Sequence, residues 1–325
     1  MMVPKKILIV RFSSIGDIVL TTPVIRCLHQ QLPGTEIHFV CKAVFASVLD
    51  GNPYIHLLHT FKKDISELYE ALKSENFDLL VDLHKNLRSF RLKRKLKTRS
   101  FSFNKINFNK FLAVNFKMLG QLPDVHIVDR YLSTVAPLGV QNDGQGLDYF
   151  PAEKDQVAVS ELFPAGASSF VALVVGGSYY TKQIPMNKLQ KICDQLNLPV
   201  VLLGGKEDQA IGEELQARYP TAVNACGRYT INQSASVIRQ AAWVITSDTG
   251  MMHIASAFNK KIISVWGNTV PEFGMGPYLP APESMILEVK ALECRPCSKL
   301  GYHECPLGHF KCMNDIDVSV VETLR

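Results

Sequence analysis

Two carboxylates, Asp17 and Asp248, end the same kind of local pattern in the two halves of this chain. Asp17 closes Ile7-Leu8-Ile9-Val10-Arg11-Phe12-Ser13-Ser14-Ile15-Gly16-Asp17, an apolar run entering a turn of small residues with a helix behind it. Asp248 lies in Trp243-Val244-Ile245-Thr246-Ser247-Asp248-Thr249-Gly250-Met251-Met252-His253, again strand, turn and helix. A carboxylate at such a turn can cap the helix or interact with its dipole. Facing a binding crevice, it can instead take a proton from a hydroxyl nucleophile. Ser13, Ser14 and Gly16 are small and leave room for a substrate beside Asp17. Ligands of open α/β sheets bind beyond the carboxyl ends of the strands. Each half therefore aims a carboxylate at a crevice, and two halves facing each other across a cleft would build one active site.

The second half adds the chemistry of phosphate binding. Val174-Val175-Gly176-Gly177-Ser178 and Val201-Leu202-Leu203-Gly204-Gly205-Lys206-Glu207 both end strands in glycines. Neither has the spacing of a dinucleotide fingerprint or a P-loop. Asp248-Thr249-Gly250 opens a helix. Glycine lets a ligand approach the backbone, and amides at a helix start favour phosphate. Lys182 follows the first glycine turn and could neutralise a diphosphate. Together these features suggest a nucleotide-diphosphate site, although ordinary strand-to-helix turns share the same spacing. His253, one turn into its helix, could serve that site or be a structural histidine.

The elements that must position these residues are legible as alternating short apolar runs and helical patterns. In the first half, strands are expected at Lys6–Val10, Glu36–Cys41, Ile55–Thr60 and Phe77–Asp82. Helices are expected at Asp17–Gln31, Ala43–Leu49, Ile65–Ser74, Phe111–Leu119 and Val128–Leu138. Gly139–Gly146 is polar and rich in breakers, hence a loop, and Leu147–Pro164 bridges to the second half. There, strands are expected at Phe170–Val175, Val200–Leu203, Ala222–Ala225, Trp243–Thr246 and Lys261–Trp266. Helices are expected at Pro185–Leu196, Asp208–Arg218, Gln233–Ala242 and Gly250–Phe258, with a last short one over Asp317–Arg325. Such alternation implies α/β architecture, a parallel sheet with helices on both faces, twice over. The boundary falls near residue 152, giving domains of residues 1–152 and 153–325.

Composition sets the outer limits. With 325 residues, 47% apolar and 20% charged, the chain can bury two ordinary cores. No apolar run approaches the roughly 18 residues of a membrane span. The opening run Ile7–Val10 is too short for a signal-peptide core, so a cytoplasmic protein is expected. The net charge of +5 is unevenly spread. Arg88, Arg91, Lys93, Arg94, Lys95, Lys97 and Arg99 crowd one stretch, followed by Lys105, Lys110 and Lys117. This is either a solvated helix face or a surface for an anionic partner: a phosphorylated sugar, an anionic membrane or nucleic acid. No recognition motif or aromatic stacking run accompanies the charges, which argues against nucleic acid. Among the eight cysteines, Cys27, Cys41, Cys193 and Cys226 stand singly as core thiols. Cys294, Cys297, Cys305 and Cys312 are clustered, with His303 and His309 between them. Their spacing leaves a structural zinc site, reduced thiols and redox pairing all open.

These motifs resemble glycosyltransferase family 9, the heptosyltransferases that build the inner core of lipopolysaccharide, and the second-heptose type most of all. The resemblance rests on Ile7–Asp17, Thr22-Pro23, Asp82-Leu83-His84-Lys85-Asn86-Leu87-Arg88-Ser89, Lys182-Gln183-Ile184-Pro185, Ser247–His253 and Trp266-Gly267, and covers nearly the whole chain. It implies a GT-B fold of two Rossmann-like doubly wound domains facing across a cleft, and inverting transfer from an ADP-heptose donor. It implies no cofactor and no metal. Asp17 takes the place of the family's catalytic base. Lys182 falls at a donor phosphate contact and Glu207 at a ribose or adenosine contact. Asp248, Thr249, Gly250 and His253 fall on the donor-binding motif, with Asp248 near the sugar hydroxyls and Thr249-Gly250 at the phosphates. Ile184 departs from the pattern, since many members carry an aromatic residue before the proline. The acceptor implied is an anionic inner-core glycan on a lipid, met at the inner face of the inner membrane through the basic stretch. The same fold with another nucleotide sugar or glycan acceptor is the nearer alternative.

Overall fold

In the computed structural model, residues 3–163, 166–167 and 169–324 are described. Strands β1 (Lys6–Val10), β2 (Glu36–Lys42), β3 (Leu57–Phe61), β4 (Leu79–Asp82) and β5 (Ser100–Ser102) form one parallel sheet, ordered β3-β2-β1-β4-β5. Strands β6 (Val171–Val174), β7 (Val200–Leu203), β8 (Val223–Asn224), β9 (Trp243–Ser247), β10 (Lys261–Trp266) and β11 (Met285–Glu288) form another, ordered β11-β10-β9-β6-β7-β8. All its pairings are parallel too. The central strands read as continuous apolar runs because both faces are covered by helices. Alternate residues feed opposite cores: Val171 and Leu173 pack on one side of the second sheet, Ala172 and Val174 on the other.

Both sheets reverse their strand order next to their first strand, between β1 and β4 and between β6 and β9. The second follows the full Rossmann order, and the first is the same order one strand shorter. Val10 pairs with Asp82 across the first switch point.

The chain divides into two compact units, but not at a single boundary. The first holds the residues up to Lys105 together with Val125–Phe150, and the second holds Ile106–Asp124 and everything from Pro151. The helix Asn107–Phe116 accounts for the excursion. Its Ala113 is buried with Val270 and Phe273, and Val114, Leu119 and Leu122 pack against them. Lys117 Nζ ties the same segment to the carbonyls of Cys294 (3.1 Å) and Pro296 (2.8 Å).

Other departures from the expected elements have local causes. The helix expected over Asp17–Gln31 is two, Ile15–Val19 and Thr22–Gln31, because Pro23 has no N–H to give and sits in the first turn of the second. Pro137 likewise ends the expected Val128–Leu138 helix, leaving Ile127–Leu132 and a 3₁₀ turn at Ala136–Leu138. The basic stretch contains a helix, Leu87–Leu96, capped by Asn86. The final segment is a 3₁₀ turn at Ser319–Thr323. Pro164, the end of the expected bridge, and Arg325, the end of the expected last helix, lie outside the described residues. No described helix is long and apolar enough to cross a membrane.

The loop Gly139–Gly146 is held by one buried cation. Arg26, 2% exposed, donates to both carboxylate oxygens of Asp143 (2.7 and 2.9 Å), to Asp148 and to the Gly146 carbonyl (2.9 Å). Removing one partner of a buried ion pair costs about 3–5 kcal/mol. Arg26→Ala is therefore expected to lower stability by that amount in urea unfolding and to open the loop to proteolysis. A loss below about 1 kcal/mol would class these contacts with surface ion pairs.

Candidate active site

At the first switch point Asp17 sits in the opening helix turn after β1. Its Oδ2 takes every contact found for the carboxylate: Arg11 Nη2 at 2.7 Å, the Ser14 hydroxyl at 2.9 Å and the Ser14 amide at 3.3 Å. Asp17 therefore does serve its helix start, and its Oδ1 has no hydrogen-bond partner among the described residues. Arg11 in turn donates to the carbonyls of Leu83 (2.7 Å) and Ser13 (2.7 Å) and to the buried Tyr131 hydroxyl (3.0 Å). Burial pushes the Asp17 carboxyl up, but the Arg11 charge and the Ser14 hydrogen bonds outweigh it and hold the group below its ordinary range.

Neighbours that sequence reasoning left without a role complete this turn. Asp82, fully buried at the end of β4, accepts from the amides of His84 (3.1 Å) and Lys85 (2.6 Å), from the Ser89 hydroxyl (2.9 Å) and from Lys93 Nζ (2.9 Å). It anchors the basic helix, so Lys93 is spent internally. His84 is 9% exposed and packs on Phe12, with ring centroids 4.9 Å apart. Burial and the Arg11 charge push its pKa down to about 3, so it stays neutral. Lys105 is lowered by burial and by the Arg11 charge, and it also feels Asp82 and Asp17. The signal for this group was the Asp82–Ser89 motif itself, in which Asp82, His84 and Ser89 are buried.

At the second switch point the expected donor residues divide. Lys182 Nζ lies 2.5 Å from Asp248 Oδ2, which also accepts from Thr269 Oγ1 at 2.9 Å. Phosphate binding would therefore have Lys182 shared between Asp248 and the ligand. Thr249 precedes the helix Gly250–Ala257 with no side-chain cap, its hydroxyl 3.1 Å from that of Thr246, so the first amides of the helix are uncapped. Ser247 Oγ and the Asn268 amide are buried at neighbouring strand ends without a partner among the described residues. Such groups call for a ligand or water. Glu207 is exposed on the 3₁₀ turn Lys206–Asp208. His253 is 2% exposed, in the first turn of the helix Gly250–Ala257.

The two glycine turns have a structural cause that the spacing did not reveal. Asp208, buried, accepts from the Gly205 amide at 2.8 Å. A Cβ on Gly176 would collide with its carboxylate, and one on Gly204 would lie 2.7 Å from its Cβ. Gly176 and Gly204 are small because Asp208 packs between their turns. A Cβ on Gly177 would meet only ordinary contacts, Gln183 Cγ at 3.4 Å and the Thr249 methyl at 3.7 Å.

A separate group gathers at the amino ends of the first sheet, where His38 Nδ1 is 2.9 Å from His59 Nε2, and Glu36, His38 and His56 on one side and His38, His59 and Glu75 on the other each bring their ligand atoms within 4.8 Å of one another. Lys6 Nζ already stands between the carboxylates, 3.3 Å from Glu36 and 2.8 Å from Glu75.

Two Rossmann-like units, each with its polar cluster at the switch point, give the α/β architecture of GT-B glycosyltransferases. The solved structure of the Escherichia coli ADP-heptose lps heptosyltransferase II matches over 98% of this chain and 96% of that one, with a TM-score of 0.70 and 19% identity. The model of glycosyltransferase family 9 (heptosyltransferase) matches residues 65–306, and the chain belongs to that family. It is 24% identical to lipooligosaccharide heptosyltransferase 2 of Haemophilus influenzae, covering 92% of this chain and 94% of that protein. It is 26% identical to an Escherichia coli lipopolysaccharide heptosyltransferase 3, covering 82% and 88%. The protein is thus a glycosyltransferase.

A hydrogen bond to a charged group contributes about 1.5–3 kcal/mol. Lys182→Ala is expected to weaken ADP binding at least about tenfold in calorimetric titration. Unchanged ADP affinity in both Lys182→Ala and Thr249→Val would remove the phosphate site from this turn.

Proposed function

We propose that the protein transfers heptose from ADP-heptose to a hydroxyl of the lipopolysaccharide inner core, inverting the anomeric carbon without a metal at the reacting centre. The observation that carries this reading is the Asp17 carboxylate, fixed through Oδ2 by Arg11 and Ser14, with no hydrogen-bond partner on Oδ1 among the described residues. The acceptor oxygen bonds to the anomeric carbon as the bond from that carbon to the diphosphate breaks, and the acceptor proton passes to Asp17 Oδ1. Held below the usual carboxylate range, Asp17 is always ionised near neutral pH but is a weak base for a free hydroxyl. Proton transfer then comes late, once the attacking oxygen has become acidic through its new bond. The leaving ADP takes its charge to Lys182 and the amides at Thr249-Gly250, which stabilise it as it develops. Glu207 is exposed at the end of β7, where a ribose hydroxyl would find an acceptor.

The acceptor side is read from the helix Leu87–Leu96. Arg91 and Arg94 are exposed on the same side as Leu87 (63%) and Phe90 (50%). An exposed strip of cations beside apolar side chains suits an anionic, lipid-linked acceptor in an anionic leaflet, where each cation contributes about 1 kcal/mol. Lys95 is 3.3 Å from the exposed Glu70, a contact of little strength in water. This supports a peripheral position on the cytoplasmic face of the membrane.

Asp17→Asn is expected to lower turnover about 10²–10⁴-fold with ADP affinity unchanged; near-normal turnover would confine Asp17 to helix capping. The base must be ionised, so the rate falls as pH drops through the lowered Asp17 pKa. Arg11→Gln removes the main lowering charge and is expected to move that acid limb to higher pH; an unmoved limb would assign the titration to another group. Reversing Arg91, Arg94 and Lys95 to Glu is expected to raise the acceptor KM and release the protein from anionic vesicles, with ADP affinity intact. Unchanged KM and vesicle binding would make this helix a solvated face.

A further inference from the structure

The histidine cluster of the first unit lies at the end of the sheet that the transfer does not use. Asp17 follows the carboxyl end of β1, whereas this cluster gathers at the amino ends of β1, β2 and β3. The register of the edge pair assembles it. Glu36 and His38 are two residues apart on β2, so their side chains leave the same face of the sheet. His38 pairs with Leu57 of β3, the outer strand, which puts His59 diagonally beside it on that face. His56 stands just before β3, and its amide donates to the Ile37 carbonyl at 2.8 Å, which holds that residue beside β2.

His38 is 1% exposed and meets Phe77 edge to face, with ring centroids 5.1 Å apart. Its two ring nitrogens have different surroundings. Nδ1 lies 2.9 Å from His59 Nε2. Two ligands of a tetrahedral zinc, each about 2.0–2.1 Å from the ion, stand about 3.3 Å apart. The closer histidine pair is therefore a hydrogen bond, and one of its nitrogens carries the proton. His38 Nε2, in contrast, is buried without a hydrogen-bond partner among the described residues. With the shared proton on His38 Nδ1, Nε2 presents a lone pair, and His59 orients the ring as the outer partners of metal-bound histidines do. A buried lone pair of this kind calls for a partner. Glu36 Oε2 is 3.6 Å from it, beyond a hydrogen bond but close to the spacing of two zinc ligands. The ligand atoms of Glu36, His38 and His56 all lie within 4.8 Å of one another. Glu36 is half-buried and His56 exposed, so a cation can enter from solvent without opening the core.

We propose that Glu36, His38 Nε2 and His56 bind one zinc ion, with water in the fourth position, and that the ion ties the entrance of β3 to β2 at the edge of the sheet. Two imidazoles and one carboxylate suit zinc, whereas magnesium and calcium take oxygen ligands. Lys6 is a built-in competitor, its Nζ 2.8 Å from Glu75 and 3.3 Å from Glu36. Zinc takes Glu36 and leaves the ammonium with Glu75, its closer partner. The ion is structural and takes no part in the transfer.

Zinc titrated into wild type and into the double variant Glu36→Gln/His56→Ala tests the site. Both proteins carry the same eight cysteines, so metal held by sulfur is common to the two. Calorimetry should show about one zinc equivalent in wild type that the double variant lacks. With cobalt(II), the wild-type-minus-variant spectrum should show weak d–d bands and no thiolate charge-transfer band. Zinc should slow amide hydrogen exchange over residues 56–61 in wild type and not in the double variant. Lys6→Met should bind zinc about fivefold more tightly, because a partly exposed ion pair no longer competes for Glu36. Should the double variant fail to fold, His56→Ala, changed only at an exposed side chain, takes its place. Equal zinc stoichiometry and affinity in wild type and variant would overturn the site, as would a thiolate band in the difference spectrum. Unchanged or weaker zinc binding by Lys6→Met would contradict the assignment of Glu36 to the ion.

Discussion

The first switch point turns on one buried charge, that of Arg11. The Arg11 guanidinium donates to carbonyls on two sides of the switch point, at Ser13 after β1 and Leu83 after β4, and to the Tyr131 hydroxyl of a later helix. Its remaining nitrogen fixes Asp17. A cation this deep is tolerable only if fully bonded. The surrounding chain is therefore constrained to present those acceptors, and Asp17 is oriented by the same requirement. The planar fork of arginine suits this work; a lysine ammonium would not reach the same partners together.

The second unit solves a different problem at the equivalent place. Here the buried group is an anion, Asp208, packed where Gly176 and Gly204 leave room. Burial raises its pKa, the Gly205 amide counteracts, and Glu207 adds repulsion. The glycine turns are thus shaped from within by Asp208. Beside them stand Gly177, the ion-paired Lys182 and Asp248, and the uncapped amides after Thr249. Parallel sheets leave such strand ends open at a switch point, which is why both clusters occur there.

Much of this was legible in the sequence, and the limits have physical causes. The buried strands were plain because a strand covered on both faces has to be apolar throughout. Strands β5 and β11 escaped notice because Ser100, Ser102 and Ile286 are exposed and no such run marks them. Helix breaks at Pro23 and Pro137 were marked by proline, but continuous apolar periodicity on either side hid them. The passage of Ile106–Asp124 into the second unit depends on Val270 and Phe273, far along the chain, and no local pattern encodes it. Asp17, Lys182, Asp248 and Thr249 stand at switch points as their strand-turn-helix settings suggested. The burial of His253 and the exposure of Glu207 are set by tertiary packing, which no local pattern encodes. Lys93 read as one surface cation among many, although Asp82 holds it internally.

The central claim is that a fixed carboxylate in one unit and a phosphate cradle in the other carry out heptose transfer with inversion. Nuclear magnetic resonance of the product from ADP-heptose and a heptose-deficient inner-core acceptor tests it most directly. The account requires one heptose added per ADP released, with the anomeric configuration opposite to that of the donor. A product retaining the donor configuration, or transfer from a UDP- or GDP-sugar with none from ADP-heptose, would contradict it.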